Sequence, residues 1–397
     1  MPRSRLAALF LLILIVAVPC CGRKIPAPQD VDLTAPDGTK LKATYFSAGR
    51  PGPGVLLLHQ CSGPGSPETR HNWDQLAPRL AAAGIHVLTF DYRGSGESGG
   101  VPSGTLSIRE DDTVRREKWP GDIDTALAYL EAQPKVTRGI IGAGGASCGV
   151  NMAIRLAQRH AEVKSLVLLS TPILWRNERE FVRNAKQLPM FISAADDDGS
   201  PAEVMQWIYE LSPKPGSRFV HYHTGGHGVQ MFAAHKELLG MVVDWYVQTL
   251  IRTPGSAPSV RTAGPKKRPP EILELIDSPG GPAKVEEQLA EARKRNPKAN
   301  LFSQALVNML GFTHYHDGDY SGAAAIMKLN IAASPNSPGC YDSLADVYLA
   351  AGQTDLARET VRRELQLLSS DTVDDKETRE AIRGWAEEKL KQLGERP

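Results

Sequence analysis

Gly139-Ile140-Ile141-Gly142-Ala143-Gly144-Gly145-Ala146-Ser147-Cys148-Gly149-Val150 is the stretch on which the fold turns. Thr137 to Gly142 reads as an apolar strand, and Val150 to His160 as a helix. Between them stands Gly145-Ala146-Ser147-Cys148-Gly149, a G-x-S-x-G sequence. At a strand-to-helix turn this tight, a side chain at either outer glycine would clash, so the backbone is strained. Ser147 is thrust out beyond the carboxyl edge of the sheet. The following helix aims its first N–H groups at the same point and favours negative charge there. A glycine-rich loop without chemistry would not need this placement. Cys148 competes as nucleophile, but its turn would then require small residues at Ala146 and Val150. Val150 is β-branched and ill suited, so Ser147 is the candidate and Cys148 offers its backbone N–H.

Outward from this point the chain alternates strand-like and helix-like runs from about Asp30 to Arg252, the pattern of a mostly parallel sheet covered on both faces. Val31 to Phe46 reads as a hairpin turning at Asp37-Gly38. Val55 to His59 and Ile85 to Asp91 are strands, with a helix from Asn72 to Ala83 ended by Gly84. Gly121 to Ala132 is helical. Val163 to Ser170, Met190 to Ala195 and Arg218 to His223 are further strands, the last expected deep in the sheet. His235 to Leu250 is a closing amphipathic helix.

A serine hydroxyl needs a base. His227, in the flexible loop Gly225-Gly226-His227-Gly228 after the last strand, is the candidate. The base needs a carboxylate to hold its tautomer, and Asp196, Asp197 and Asp198 follow the strand Met190 to Ala195.

With Asp91-Tyr92-Arg93-Gly94-Ser95-Gly96-Glu97-Ser98 after its strand, the serine turn and the Gly-His-Gly loop make residues 30 to 252 resemble the α/β-hydrolase superfamily, nearest its dienelactone-hydrolase-like and esterase branches. The resemblance implies a Ser147, Asp198, His227 triad in the chain order Ser…Asp…His, because Asp198 sits where the acid lies in many such enzymes. Asp196 and Asp197 are then solvated charges or caps. It implies a carboxylic ester hydrolase working through an acyl-enzyme without a cofactor, and a structural role for the Asp-x-Arg-Gly loop. It also implies an oxyanion hole made by the N–H groups of Cys148 and, by register, Cys61. Relatives often carry His-Gly where this chain has His59-Gln60. His59 is taken as a loop-holder. Cys61 and Cys148 would flank one cavity, which raises a redox-sensitive pairing, although three cysteines in the mature chain (Cys61, Cys148, Cys340) form no disulfide framework. Trp175, Phe181 and Val182, within Thr171 to Leu188, are candidate pocket walls, and Val101 to Trp119 is a loop at the entrance.

Two rival readings remain. His221-Tyr222-His223 followed by His227 gives a spacing open to a metal-dependent hydrolase. The His59-Gln60 departure is compatible with an inactive hydrolase scaffold serving as an envelope binding protein.

The 397 residues exceed one ordinary core and call for more than one domain. Lys+Arg 46 against Asp+Glu 45 gives a net charge of +1, a balance that does not point to nucleic acid as partner and is compatible with a small apolar or neutral substrate. Arg3 and Arg5 precede the apolar run Leu6 to Val18, a secretory pattern over residues 1–23 too short to span a bilayer comfortably. Cys20 and Cys21 follow and resemble a lipoprotein site, apart from Pro19. Export to a bacterial-type envelope or periplasm, with lipid anchoring at Cys20 or Cys21, is the expectation; a short uncleaved anchor is the alternative.

Residues 253–270 are a Pro/Gly-rich linker. Beyond them, Leu310-Gly311 recurs as Leu344-Ala345, Gly318 as Gly352 and Ala323 as Ala357, each 34 residues on. Residues 271–397 thus resemble tetratricopeptide repeats, with a helix Val285 to Arg295 before them and a charged capping helix Asp375 to Leu393 after. The resemblance implies a peptide- or protein-binding groove or a docking module. Deleting residues 271 to 397 is expected to leave chemistry on small esters mostly intact.

Overall fold

The computed structural model describes residues 25–61, 68–102, 105–106, 108–213, 216–255, 271–371 and 376–394. The secretory pattern, Cys20, Cys21 and linker residues 256–270 lie outside them. Among the described residues no helix is long and apolar enough to cross a membrane.

Eight strands form one sheet: β1 (Gln29–Thr34), β2 (Lys40–Phe46), β3 (Gly52–Leu58), β4 (His86–Phe90), β5 (Val136–Ala146), β6 (Val163–Leu169), β7 (Met190–Ala195) and β8 (Arg218–Tyr222). Their order is β1-β2-β4-β3-β5-β6-β7-β8. β1 and β2 form the antiparallel hairpin, and β2 joins β4 antiparallel. From β4 to β8 every pairing is parallel, so all these strands deliver their carboxyl ends to one edge. That edge is where ligands meet such sheets. β3 shows why the strand reads as an unbroken apolar run: Leu56 and Leu58 enter the core on one face, Val55 and Leu57 the core on the other.

The covering helices are α1 (Ala77–Ala83), α2 (Ile108–Glu117), α3 (Trp119–Glu131), α4 (Cys148–Arg159), α5 (Arg176–Asn184), α6 (Ser200–Leu211), α7 (Met231–Ala234) and α8 (Lys236–Tyr246). α2 replaces most of the expected loop Val101 to Trp119. Its acidic start, Glu110 and Asp111, and basic end, Arg115 and Arg116, complement the helix dipole, and Asp111 pairs with Arg115 one turn on. β8 is the edge strand rather than a deep one, paired only through β7 and partly exposed along its length.

The C-terminal region is all helical: α9 (Glu271–Ile276), α10 (Gly281–Arg295), α11 (Gln304–His316), α12 (Tyr320–Ala333), α13 (Pro338–Ala350), α14 (Thr354–Leu368) and α15 (Lys376–Gln392). The helices α11 and α12 recur as α13 and α14, each starting 34 residues later. This region is not a separate body. Leu273, Ile276, Leu289, Met309 and Leu310 belong to the same buried cluster as Leu174, Val182 and Trp207 of the sheet domain. Polar ties reinforce it: Arg179 to Asp277 at 2.8 Å, Arg183 to Glu274 at 3.0 Å, and Arg176 to the buried His314 at 2.7 Å. The shared core bears against the expectation that residues 271 to 397 can be removed with little effect, since removal would expose the sheet-domain side of that cluster.

Candidate active site

β5 ends at Ala146 and α4 begins at Cys148, so Ser147 alone makes the turn. Its φ is 54°, a left-handed conformation that costs a non-glycine residue on the order of 1–3 kcal/mol. The surroundings impose it. Ser147 N–H donates to the Leu169 carbonyl at 2.9 Å, and the Ser147 carbonyl accepts from Val150 N–H at 2.9 Å. A β-carbon on Gly145 would overlap the Gly149 carbonyl, and one on Gly149 would overlap the Leu58 carbonyl. Both glycines are thus required by close approach, and the second seats the turn on the end of β3.

His227 lies in the loop after β8, and its Nδ1 bonds both oxygens of Asp198, at 2.8 and 2.9 Å. With Nδ1–H donating, Nε2 is the basic nitrogen. The Asp198 side chain is 9% exposed and that of His227 30%. The loop is carried to the serine turn by contacts on either side. A β-carbon on Gly228 would lie 3.4 Å from the Ala146 side chain. Val229 N–H donates to Gln60 Oε1 at 3.3 Å. Among the described residues Ser147 and His227 share no hydrogen bond; such pairs often tighten only around substrate.

The three aspartates divide the work. Asp198 holds His227. Asp197 accepts from the N–H groups of Gly225 and Gly226, both at 3.0 Å, which fixes the loop and lowers its own pKa. Asp196 accepts from His223 at 2.9 Å and His221 at 2.5 Å, which lowers its pKa as well. These are specific ties where solvated charges or caps are expected from the sequence. They also part His221 and His223 from His227, and among the described residues no three His, Cys, Asp or Glu side chains are disposed to hold a metal.

The end of β3 supplies the opposite wall. His59 is fully buried, its Nδ1–H donating to the Gln60 carbonyl at 2.6 Å and its Nε2 accepting from Tyr92 N–H at 3.1 Å. Burial drives its pKa down to about 4, so it is a neutral loop-holder. Gln60, a departure from the commoner glycine, is the side chain that binds the His227 loop. Cys61 and Cys148 are joined by a disulfide with Cα atoms 5.7 Å apart. Among the described residues the N–H of neither donates to a backbone carbonyl. Cys340 is buried and free. Asp91 lies under the site rather than in it, accepting from Arg70 and from Glu97 N–H.

A cavity of about 240 Å³ runs from Cys148 along α4 past Asn151, Met152 and Arg155 to Trp175 and His316. Trp175 lines it as expected, while Val182 and Phe181 pack into the core instead. His316 comes from α11 and stands edge-on to Trp175 at 4.7 Å. No local signal in the sequence marks His316 for this place, because the contact spans some 140 residues.

The sheet order, the strained serine turn and the histidine loop together define an α/β-hydrolase fold. The family profile described as alpha/beta hydrolase fold matches residues 53–190. An uncharacterized protein of Mycobacterium tuberculosis is 32% identical over 142 residues, 35% of this chain and 44% of that protein. The chain thus matches less than half the length of this curated relative. Solved structures resemble just over half of the chain. An esterase of Pyrococcus furiosus is 21% identical, with TM-score 0.45, covering 56% of this chain and 91% of that one. The protein Est1E of Butyrivibrio proteoclasticus, with ferulic acid bound, is 18% identical, with TM-score 0.45, covering 56% and 100%.

Proposed function

We propose that the protein is a serine hydrolase cleaving carboxylic esters of small molecules through an acyl-enzyme. Ser147 Oγ attacks the carbonyl carbon while His227 Nε2 takes its proton. Asp198 stabilises the imidazolium, and the N–H groups of Cys61 and Cys148 receive the oxyanion. His227 then gives the proton to the departing alcohol, and water reverses the sequence. The observation that carries this reading is the Asp198–His227 hydrogen bond, on a loop whose Gly228 packs against Ala146, together with a serine held at positive φ on a helix N-terminus.

In this proposal the acyl group enters the cavity of about 240 Å³ that begins at Cys148, next in sequence to Ser147, and its size favours short acyl groups. A panel of p-nitrophenyl esters of rising chain length tests this: the wild type hydrolyses acetate to butyrate esters best, and Ser147→Ala and His227→Ala lose nearly all turnover. A folded wild type inert on the whole panel would favour the inactive-scaffold reading.

Export to a bacterial-type envelope is part of the proposal, supported by the N-terminal pattern and by a disulfide, which persists in oxidising compartments. Lipid attachment at Cys20 or Cys21 is tested by metabolic labelling with a palmitate analogue. Label retained after Cys20→Ser with Cys21→Ser would refute it. The helical region, tetratricopeptide-like in its 34-residue recurrence, serves in this proposal as a docking module whose first hairpin also closes the acyl pocket through His316.

A further inference from the structure

We propose that the Cys61–Cys148 disulfide is the positioning element of the oxyanion hole, so that turnover requires its oxidised form. The inference rests on the serine-hydrolase reading and goes beyond it, because it assigns a role to the two sulfurs rather than to the backbone.

The two arms of the hole are anchored very differently. Cys148 is rooted in α4, and the turn before it is fixed by the Ser147 and Val150 hydrogen bonds and by the packing of Gly145 and Gly149. The other arm is held as far as Gln60. His59 grips the Gln60 carbonyl and Tyr92 N–H, and the Gln60 side chain grips Val229 N–H. One residue further, among the described residues, Cys61 makes no backbone hydrogen bond, and its covalent bond to Cys148 is what ties it to the serine turn. The bond joins residues 87 apart in sequence, and they are the same two that carry the donors. Oxyanion donors act through preorganisation: a misplacement of ~1 Å costs ~10²-fold, and loss of one donor ~10²–10³-fold in kcat.

Reduction by a dithiol breaks the S–S bond and leaves one thiol on each cysteine, while the dithiol gives up two hydrogens and becomes its own cyclic disulfide. The Cys61 arm is then free to drift from the reacting carbonyl. Ground-state binding along α4 is untouched, so the deficit falls on kcat.

The test uses the full-length protein and p-nitrophenyl acetate across a dithiothreitol series, with free thiols counted at each step. The expected result is a fall in kcat of about 100-fold as two thiols appear, with KM changed less than about threefold, and recovery on reoxidation. Affinity for a boronic acid that forms a tetrahedral adduct on Ser147 falls in parallel. Cys61→Ala with Cys148→Ala matches the reduced wild type and no longer responds to dithiol, while Cys340→Ser behaves as wild type in both states. Equal kcat in the oxidised and reduced wild type overturns the proposal and leaves the serine-hydrolase reading standing. So does a loss that does not recover on reoxidation, or one accompanied by loss of the far-UV helical signal. A wild type inert in both states overturns the hydrolase reading, and the proposal with it.

Discussion

Replacing Asp277 by alanine probes the union of the two regions at one carboxylate, whose Oδ2 bonds Arg179 and whose Oδ1 bonds His314 Nε2 at 3.1 Å. Arg179, on α5 of the sheet domain, is 3% exposed, and its guanidinium bonds Asp277 Oδ2 at 2.8 Å and the Leu174 carbonyl at 2.9 Å, over the ring of Trp207. Burial pulls the Arg179 pKa down, but a guanidinium does not give up its proton in a protein. Asp277→Ala therefore leaves a buried cation with one neutral acceptor. Breaking a buried pair from one side costs roughly 3–5 kcal/mol. Asp277 is 24% exposed, so water offsets part of the loss, and the lower end, about 3 kcal/mol, is expected. Against a total stability of about 5–15 kcal/mol this is large. At an m-value of about 3 kcal/mol/M it moves the urea midpoint by about 1 M. Urea unfolding followed by both tryptophan fluorescence and far-UV circular dichroism reads it. The two probes should coincide if the regions unfold together. Arg179→Met in the Asp277→Ala background should restore the larger part of the loss, the part caused by the unpaired Arg179 charge, while the lost Asp277–His314 bond stays lost. A loss below about 1 kcal/mol, or probes that separate, would refute the shared core. The same core predicts that a chain ending at residue 255 yields no soluble folded hydrolase.

Asp198→Asn should keep the fold and lower kcat by about 10⁴-fold, because the amide no longer holds the histidine tautomer; steady-state kinetics on p-nitrophenyl acetate check this, and a loss under tenfold would argue against the assignment. Asp197→Ala, which frees Gly225 and Gly226 N–H, should lower kcat about tenfold with KM little changed. His59 gives an acid limb of stability: its folded pKa lies below the unfolded one, so its contribution is complete above about pH 6.5 and is lost as pH falls through about 4. The shift corresponds to on the order of 3 kcal/mol. Urea midpoints from pH 8 to pH 4 should show that fall, and His59→Asn should lack that component.

What the sequence discloses about this molecule is what is local in the chain. The serine turn is legible because Gly145, Ser147 and Gly149 answer to the sterics of five residues, and the sheet because its buried strands are short apolar runs between turns. Asp198 is separable from Asp196 and Asp197 only by its place after β7, and the partners that set the three apart, His227, the glycine amides and the His221–His223 pair, lie on another loop. Long-range pairings leave no local mark. The Cys61–Cys148 pairing is raised only through the resemblance that sets both residues at one cavity, whereas the Gln60 grip on Val229, the His316 wall and the Arg179–Asp277 tie join segments brought together only by folding. The expected loop Val101 to Trp119 is instead largely α2, where charge patterning, not apolar periodicity, carried the helix signal.

A fluorophosphonate probe applied to the full-length oxidised protein, with the adduct located by peptide mass spectrometry, asks most directly whether residue 147 is an activated nucleophile. The expected result is a single adduct on Ser147, formed in the wild type, slowed strongly in His227→Ala and absent in Ser147→Ala. A folded wild type that takes up no probe, or takes it up elsewhere and equally in Ser147→Ala, would contradict the assignment.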